Sequence, residues 1–249
     1  MKAIFNADDY GYSKGVNLGI LEAHKHGTVR STTVMAGMPG FDHAARLAAE
    51  NPGLNVGVHL TLTTGKSVGG IYKTITDGDG SFLRLTEVER RANMGETDLS
   101  EVESEYEAQI NKVLAAGIKP DHFDSHHHTH NLPGIVTVFL RLAKKYGVKV
   151  RIYDKGLLAG EYADIKTTGA FIDTFFDETA TPADLRRILS SCAADSIEVM
   201  CHPAYVDNFL YRSSSYNIKR TYELDVLTSP EIMSFISERG IELCSFGEI

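Results

Sequence analysis

Eight short runs of β-branched and apolar residues, separated by stretches of helical length, constrain this chain more than any other feature. The runs are Lys2–Asn6, Ser31–Ala36, Asn55–Leu62, His122–His126, Val148–Tyr153, Ala170–Phe175, Ile197–Cys201 and Ile241–Ser245. Amphipathic segments lie between them at Lys14–His26, Asp42–Glu50, Leu99–Ala116, Pro133–Tyr146, Pro182–Ala193 and Pro230–Arg239. Thr-Pro and Ser-Pro open the last two, a capping hydroxyl followed by a first-turn proline. Gly117, Gly147 and Gly240 follow three of the six closely, where a left-handed C-cap residue belongs. Such alternation predicts an α/β fold with mainly parallel strands, closed or nearly closed into a (β/α)-barrel-like sheet. A barrel of this kind reaches 249 residues as a single domain, here 1–249. The least regular tracts, Thr63–Arg91 and Ala204–Thr221, read as loops over a site.

Composition excludes several partners. A net charge of −8 and a pI near 5.7 argue against a nucleic-acid or anionic-membrane surface. No segment approaches the roughly 18 uninterrupted apolar residues of a membrane span. The opening MKAIFNADDYGYSKG lacks the pattern of a signal peptide. Cys192, Cys201 and Cys244 are odd in number and form no C-x-x-C pair. Together these features predict a cytoplasmic protein with reduced thiols. They leave a homo-oligomer open.

A barrel makes a demand on sequence, because its chemistry collects at the C-terminal ends of the strands. Asp8 and Asp9 follow the first run, and His59 lies late in the third. Asp124, His126 and His128 close the fourth, Arg151 sits in the fifth, and His202 follows the seventh. The segment Asp121-His-Phe-Asp-Ser-His-His-His-Thr-His130 is the densest cluster. If it continues a strand, alternation places Asp124, His126 and His128 on one face and Ser125 and His127 on the other. A carboxylate with imidazoles is a common ligand set for Zn²⁺ and related divalent ions.

The remaining candidates are weaker alone. Adjacent acids in Asn6-Ala-Asp-Asp-Tyr-Gly point apart in a strand, so one could meet a metal and the other a substrate. A histidine in an apolar strand, like His59, is usually a hydrogen-bonded core residue, although Gly57 allows a ligand to approach closely. Pro203 keeps His202 out of helical geometry, at a rim position suited to a general acid or base. Cys201 beside it should point the other way along the strand.

Asn6-Ala-Asp-Asp-Tyr-Gly, Ser31-Thr-Thr, Gly57-Val-His-Leu-Thr-Leu, Asp124-Ser-His-His-His-Thr-His, Glu198-Val-Met-Cys-His-Pro-Ala and Tyr222-Glu-Leu-Asp-Val-Leu-Thr-Ser together resemble the YdjC-like family. That family of carbohydrate deacetylases includes the chitooligosaccharide deacetylases. The resemblance implies an irregular, TIM-barrel-like (β/α) barrel and one divalent metal ion, commonly Mg²⁺, with Zn²⁺ or another transition metal as the alternative. Its ligands would be Asp9, His59 and His126. A looser similarity to the polysaccharide deacetylases makes Asp8 the general base and His202 the general acid. The implied substrate is a small N-acetylated sugar, an N-acetylglucosamine oligosaccharide such as diacetylchitobiose or its 6-phosphate, and the released group is acetate. Asp124, His128, Arg151, Arg212 and Arg220 are further candidates for substrate contact or for support of the ligands. The rival readings are another metal-dependent amidohydrolase or phosphoesterase, and a non-catalytic sugar-binding protein with a structural metal.

Overall fold

The computed structural model describes residues 1–249. Its elements run β1 (Lys2–Tyr10), α1 (Lys14–His26), β2 (Ser31–Val34), α2 (Phe41–Glu50), β3 (Asn55–Leu60), α3 (Leu85–Met94), α4 (Leu99–Ala115), β4 (His122–Ser125) and α5 (Ile135–Tyr146). They continue with β5 (Lys149–Val150), β6 (Ala170–Ile172), α6 (Pro182–Ser191), β7 (Ser196–Cys201), α7 (Asn208–Ser213), α8 (Lys219–Leu227), α9 (Pro230–Glu238) and β8 (Glu242–Leu243). The strands lie in the order β5-β4-β3-β2-β1-β7-β6, with β8 against the start of β1. Every pairing is parallel. The result is the expected (β/α)-barrel-like α/β fold, left open at one seam. At that seam the two end strands, β5 and β6, are only two and three residues long. The chain between them carries Asp154, Lys155, Gly156, Gly160 and Glu161, residues depleted in strands. One backbone bond, Val150 N–H to Lys166 C=O at 3.0 Å, covers part of the free edge.

Helix faces follow from apolar spacing. In α5, Ile135, Val138, Phe139 and Leu142 recur at i, i+3, i+4 and i+7, and all are buried. Removing each such side chain from water contributes about 1.5–3 kcal/mol. Gly147 ends this helix at φ 66°, donating back to Ala143 and Lys144 carbonyls. The expected caps are present: Thr181 Oγ1 accepts from Asp184 N–H at 3.1 Å, and Ser229 Oγ from Ile232 N–H at 3.2 Å. No helix is long and apolar enough to cross a membrane.

Three departures from the sequence reading matter for the site. First, β1 runs on to Tyr10, so Asp8 and Asp9 lie within a buried strand rather than after it. Second, β4 stops at Ser125 and a tight 3₁₀ turn takes over from His126 to Asn131, with His127 and His128 at φ 55° and 54°. The proposed alternation of Asp124, His126 and His128 along one strand face therefore does not exist. Third, both presumed loops contain helix: α3 lies in or beyond the first, and α7 with the start of α8 in the second. The buried face of α8 includes Arg220 and Glu223. A helix that buries charge leaves little apolar periodicity to read.

Candidate active site

Asp9 is the pivot, and backbone strain aims it. Between Ala7↔Thr32 and Tyr10↔Val34, β1 spends one more residue than β2. Asp9 takes up the slack at φ 70°, a left-handed conformation that non-glycine residues seldom adopt. Such bulges re-aim side chains beside functional sites. Here the bulge brings Asp9 Oδ1 to 3.3 Å from His59 Nε2 and 2.9 Å from His126 Nδ1. Although buried, Oδ1 accepts no aligned hydrogen bond. The other oxygen, Oδ2, accepts from Arg220 Nη2 at 2.7 Å. Burial pushes the Asp9 carboxyl up, but the charges of His126 and Arg220 outweigh it and hold the group well below the usual carboxylate range.

His59 is fixed from behind. Its Nδ1 bonds Asp124 Oδ1 at 2.7 Å, which orients the ring and directs Nε2 toward Asp9. Asp124 is itself held by Thr33 Oγ1 at 3.0 Å and Arg151 Nη1 at 3.0 Å. Burial disfavours a charged His59, yet Asp124 more than offsets this and pushes its pKa up to about 10. This pocket of acids calls for positive charge. Asp9 Oδ1, His59 Nε2 and His126 Nδ1 are three ligand atoms within 4.8 Å of one another, and a carboxylate behind a ligating imidazole is the usual support of a metal site. The residues fit a divalent ion. Asp8, His59 and Asp124 also lie close together, but the two carboxylates there already accept from Arg151.

Asp8 lines the same cavity. Its Oδ1 accepts from Asn6 Nδ2 at 2.8 Å and Arg151 Nη2 at 2.7 Å, and its Oδ2 from Arg151 Nη1 at 2.6 Å. A carboxylate has about four acceptor positions, so Oδ2 keeps one for a further donor. Arg151 is fully buried and also bonds Glu198 Oε1 at 2.7 Å. It supports Asp8 and does not face a substrate.

His202 approaches from the end of β7. Its backbone N–H donates to Glu223 of α8, and its Nδ1 is 3.6 Å from Glu223 Oε1. Tyr216 Oη donates to that same oxygen at 2.5 Å. At that distance Nδ1 makes no hydrogen bond, and the residue lines the cavity. This cavity, of about 540 Å³, is lined by Asp8, Asp9, His59, His126, His128 and His202 among others.

The chain matches the model of the YdjC-like protein family over residues 2–238. It belongs to the YdjC-like family. Among similar members, a protein named carbohydrate deacetylase from Clostridium beijerinckii is 40% identical over 251 residues, with both chains covered completely. Another of that name, from Brevibacillus brevis, is 43% identical over 253 residues, again covering both chains. A solved structure from Enterococcus faecalis V583, named for cellobiose-phosphate cleavage, superposes with a TM-score of 0.89 at 34% identity, covering 99% of this chain and 98% of that one. The family 4 carbohydrate esterase of Streptomyces lividans shares the fold at a TM-score of 0.55 and 12% identity, over 98% and 91% of the two chains.

In this YdjC-like chain the cavity gathers most, but not all, of the residues singled out in the sequence. Asp8, Asp9, His59, His126, His128, His202 and Arg220 line it. Asp124 and Arg151 stand behind it, both fully buried. Arg212 is exposed near the end of α7, outside the lining. Burial and nearby Arg151 lower the His128 pKa to about 4, leaving a neutral ring. Gly57 serves packing instead of ligand approach, since a Cβ there would lie 2.5–2.6 Å from the His122 carbonyl and ring. Cys201 is buried, with its Sγ directed at the Asn6 carbonyl at 3.4 Å. Glu223, Tyr216, Phe176 and Asp173 were not singled out by sequence reasoning. Glu223 alone left a trace there, inside the Tyr222-Glu-Leu-Asp stretch.

Proposed function

We propose that this protein hydrolyses the N-acetyl group of an N-acetylglucosamine oligosaccharide, such as diacetylchitobiose or its 6-phosphate, releasing acetate and a free amine. The observation that carries the reading is the unsatisfied Asp9 Oδ1 between His59 Nε2 and His126 Nδ1, with Asp8 and His202 on the same cavity wall. The names of full-length relatives support the carbohydrate and the acetyl group. Asp9, His59 and His126 would hold one divalent ion. When bound, such an ion acidifies water and polarises a carbonyl. Two imidazoles and a carboxylate suit Zn²⁺ or a related transition ion better than Mg²⁺, which prefers oxygen ligands.

The protein groups supply the proton transfers. Asp8 Oδ2, with its remaining acceptor position, takes a proton from the attacking water. Arg151 and Asn6 keep the carboxylate from turning away. His202 gives a proton to the departing nitrogen, which an amide needs because an amine anion is a very poor leaving group. Glu223 holds the His202 backbone N–H and places its carboxylate beside the ring for that transfer.

The lining carries three carboxylates, Asp8, Asp9 and Asp173, and one guanidinium, Arg220, already engaged with Asp9. Nη1 of that guanidinium makes no hydrogen bond, but the three carboxylates outnumber its single charge against a phosphate on the sugar. The test is acetate release from diacetylchitobiose, its 6-phosphate and other N-acetylated sugars, together with metal analysis. Acetate from diacetylchitobiose with no gain in kcat/KM for the phosphate is the expected result. No acetate from any sugar, or more than one metal per chain, would favour a different metal-dependent hydrolase.

A further inference from the structure

The segment after β6 forms one lip of the cavity and is held in an unusual way. Asp177 follows Phe176 with φ 56°, a conformation costly for a non-glycine residue unless its surroundings enforce it. They do. The Asp177 N–H donates to Tyr216 Oη at 3.0 Å, and Lys219 pairs with Asp177 at 2.8 Å and also with Glu178. The lip is thereby fastened to the segment that carries Tyr216 and leads into α8. Phe176 stacks one face on the Tyr216 ring, centroids 4.1 Å apart. It stands edge-on to His202 at 5.7 Å. Backed in this way, it is still 38% exposed and lines the cavity. The part of the ring that stays in water is apolar area the fold leaves uncovered at the cavity. Three residues earlier, Asp173 lines the same cavity, with one carboxylate oxygen accepting from Tyr153 Oη at 2.7 Å.

We propose that this lip is the sugar-binding wall of the site: Phe176 offers its free face to the apolar C–H face of the pyranose whose nitrogen is released, and Asp173 accepts from that ring's hydroxyls. The inference rests on the deacetylase reading for its direction. If His202 protonates the departing nitrogen, the pyranose bearing it lies within one ring's width of His202, where Phe176 stands. A pyranose has an apolar face and a polar rim, which matches an aromatic face beside a carboxylate.

The chain contains no tryptophan, so Phe176→Trp places a sole indole reporter on the wall. Its emission is expected to change saturably when a deacetylated glucosamine disaccharide is added. Calorimetry should give this variant an affinity within about 3-fold of the parent. Phe176→Ala is expected to weaken that affinity about 10-fold or more. It should also lower kcat/KM for diacetylchitobiose at least 10-fold further than for an activated acetate ester carrying no sugar. Asp173→Asn should weaken sugar binding in the same assay. Equal affinity of the parent and Phe176→Ala for the disaccharide would overturn the wall while leaving the deacetylase reading intact. Failure of the parent to bind any amino sugar would overturn both.

Discussion

Arg151 grips both carboxylate oxygens of Asp8, Nη1 on Oδ2 at 2.6 Å and Nη2 on Oδ1 at 2.7 Å, across 143 residues of sequence. The same guanidinium meets Asp124 and Glu198, so one cation balances three buried carboxylates. Arg151→Met should therefore destabilise the fold by about 3–5 kcal/mol, the usual result of leaving buried charge unpaired. Denaturant midpoints of the purified variants would measure it. A loss under about 1 kcal/mol would mean that the acids bind protons without cost and that Arg151 is not their main counter-charge.

The adjacent acids should separate cleanly. Asp8→Asn is expected to keep its metal and lose roughly 10²–10⁴-fold in turnover, the usual worth of a general base. Asp9→Asn should instead lose metal, because Oδ1 is the oxygen facing His59 and His126. Elemental analysis and kinetics on both variants decide it. Swapped phenotypes would swap the roles.

The two candidate ligand histidines differ in what else they support. His126 meets Asp9 from a turn and is partly exposed, whereas His59 is buried and bonded to Asp124. Both alanine variants should lower metal content. His126→Ala should keep a melting temperature near that of the parent, while His59→Ala strands Asp124 and should lower it by several degrees, as a loss of about 1–3 kcal/mol does. Full metal occupancy in both variants would remove the assignment.

Protonation of the leaving group gives His202 its own signature. His202→Ala should slow hydrolysis of an acetamide far more than that of an activated acetate ester, which needs little protonation on departure. Glu223→Gln should move in the same direction more weakly. Equal losses on amide and ester would reassign His202 to positioning the substrate.

Glu198 sets a pH dependence of stability. Burial raises its pKa, Asp8 and Asp124 raise it further, and Arg151 offsets only part, leaving it near about 7 against an ordinary 4.5. The folded chain therefore holds this proton more tightly than the unfolded chain. The stability it contributes is present below about pH 4.5 and is lost as pH climbs through about 7. Glu198→Gln, which mimics the protonated acid, should gain on the parent by roughly 2–3 kcal/mol over that climb. Paired melting curves from pH 5 to about 8 test the sign. A constant difference between the two proteins would show that Glu198 does not titrate there.

Much of the site could be read from sequence because strand ends collect chemistry in a barrel. Asp8, Asp9, His59 and His202 stand at such ends, and the helices Pro182–Ser191 and Pro230–Glu238 announced themselves through their Thr-Pro and Ser-Pro caps. The cluster around Asp124 was visible as composition but misread as geometry. Alternation assumes an extended backbone, and the left-handed turn at His127 and His128 abolishes it.

The sequence by itself determined the parallel α/β class, the family and the types of residue brought to one rim, since these follow from periodicity and from the order of motifs. The tertiary structure alone decided which atoms face one another. The Asp9 bulge depends on register with β2, and the hold of Arg220 on Asp9 spans 211 residues. The lip that presents Phe176 is set by Tyr216 and Lys219. Buried charge pairs of this kind leave no periodic trace along the chain, because each member is placed by its partner and not by its neighbours in sequence.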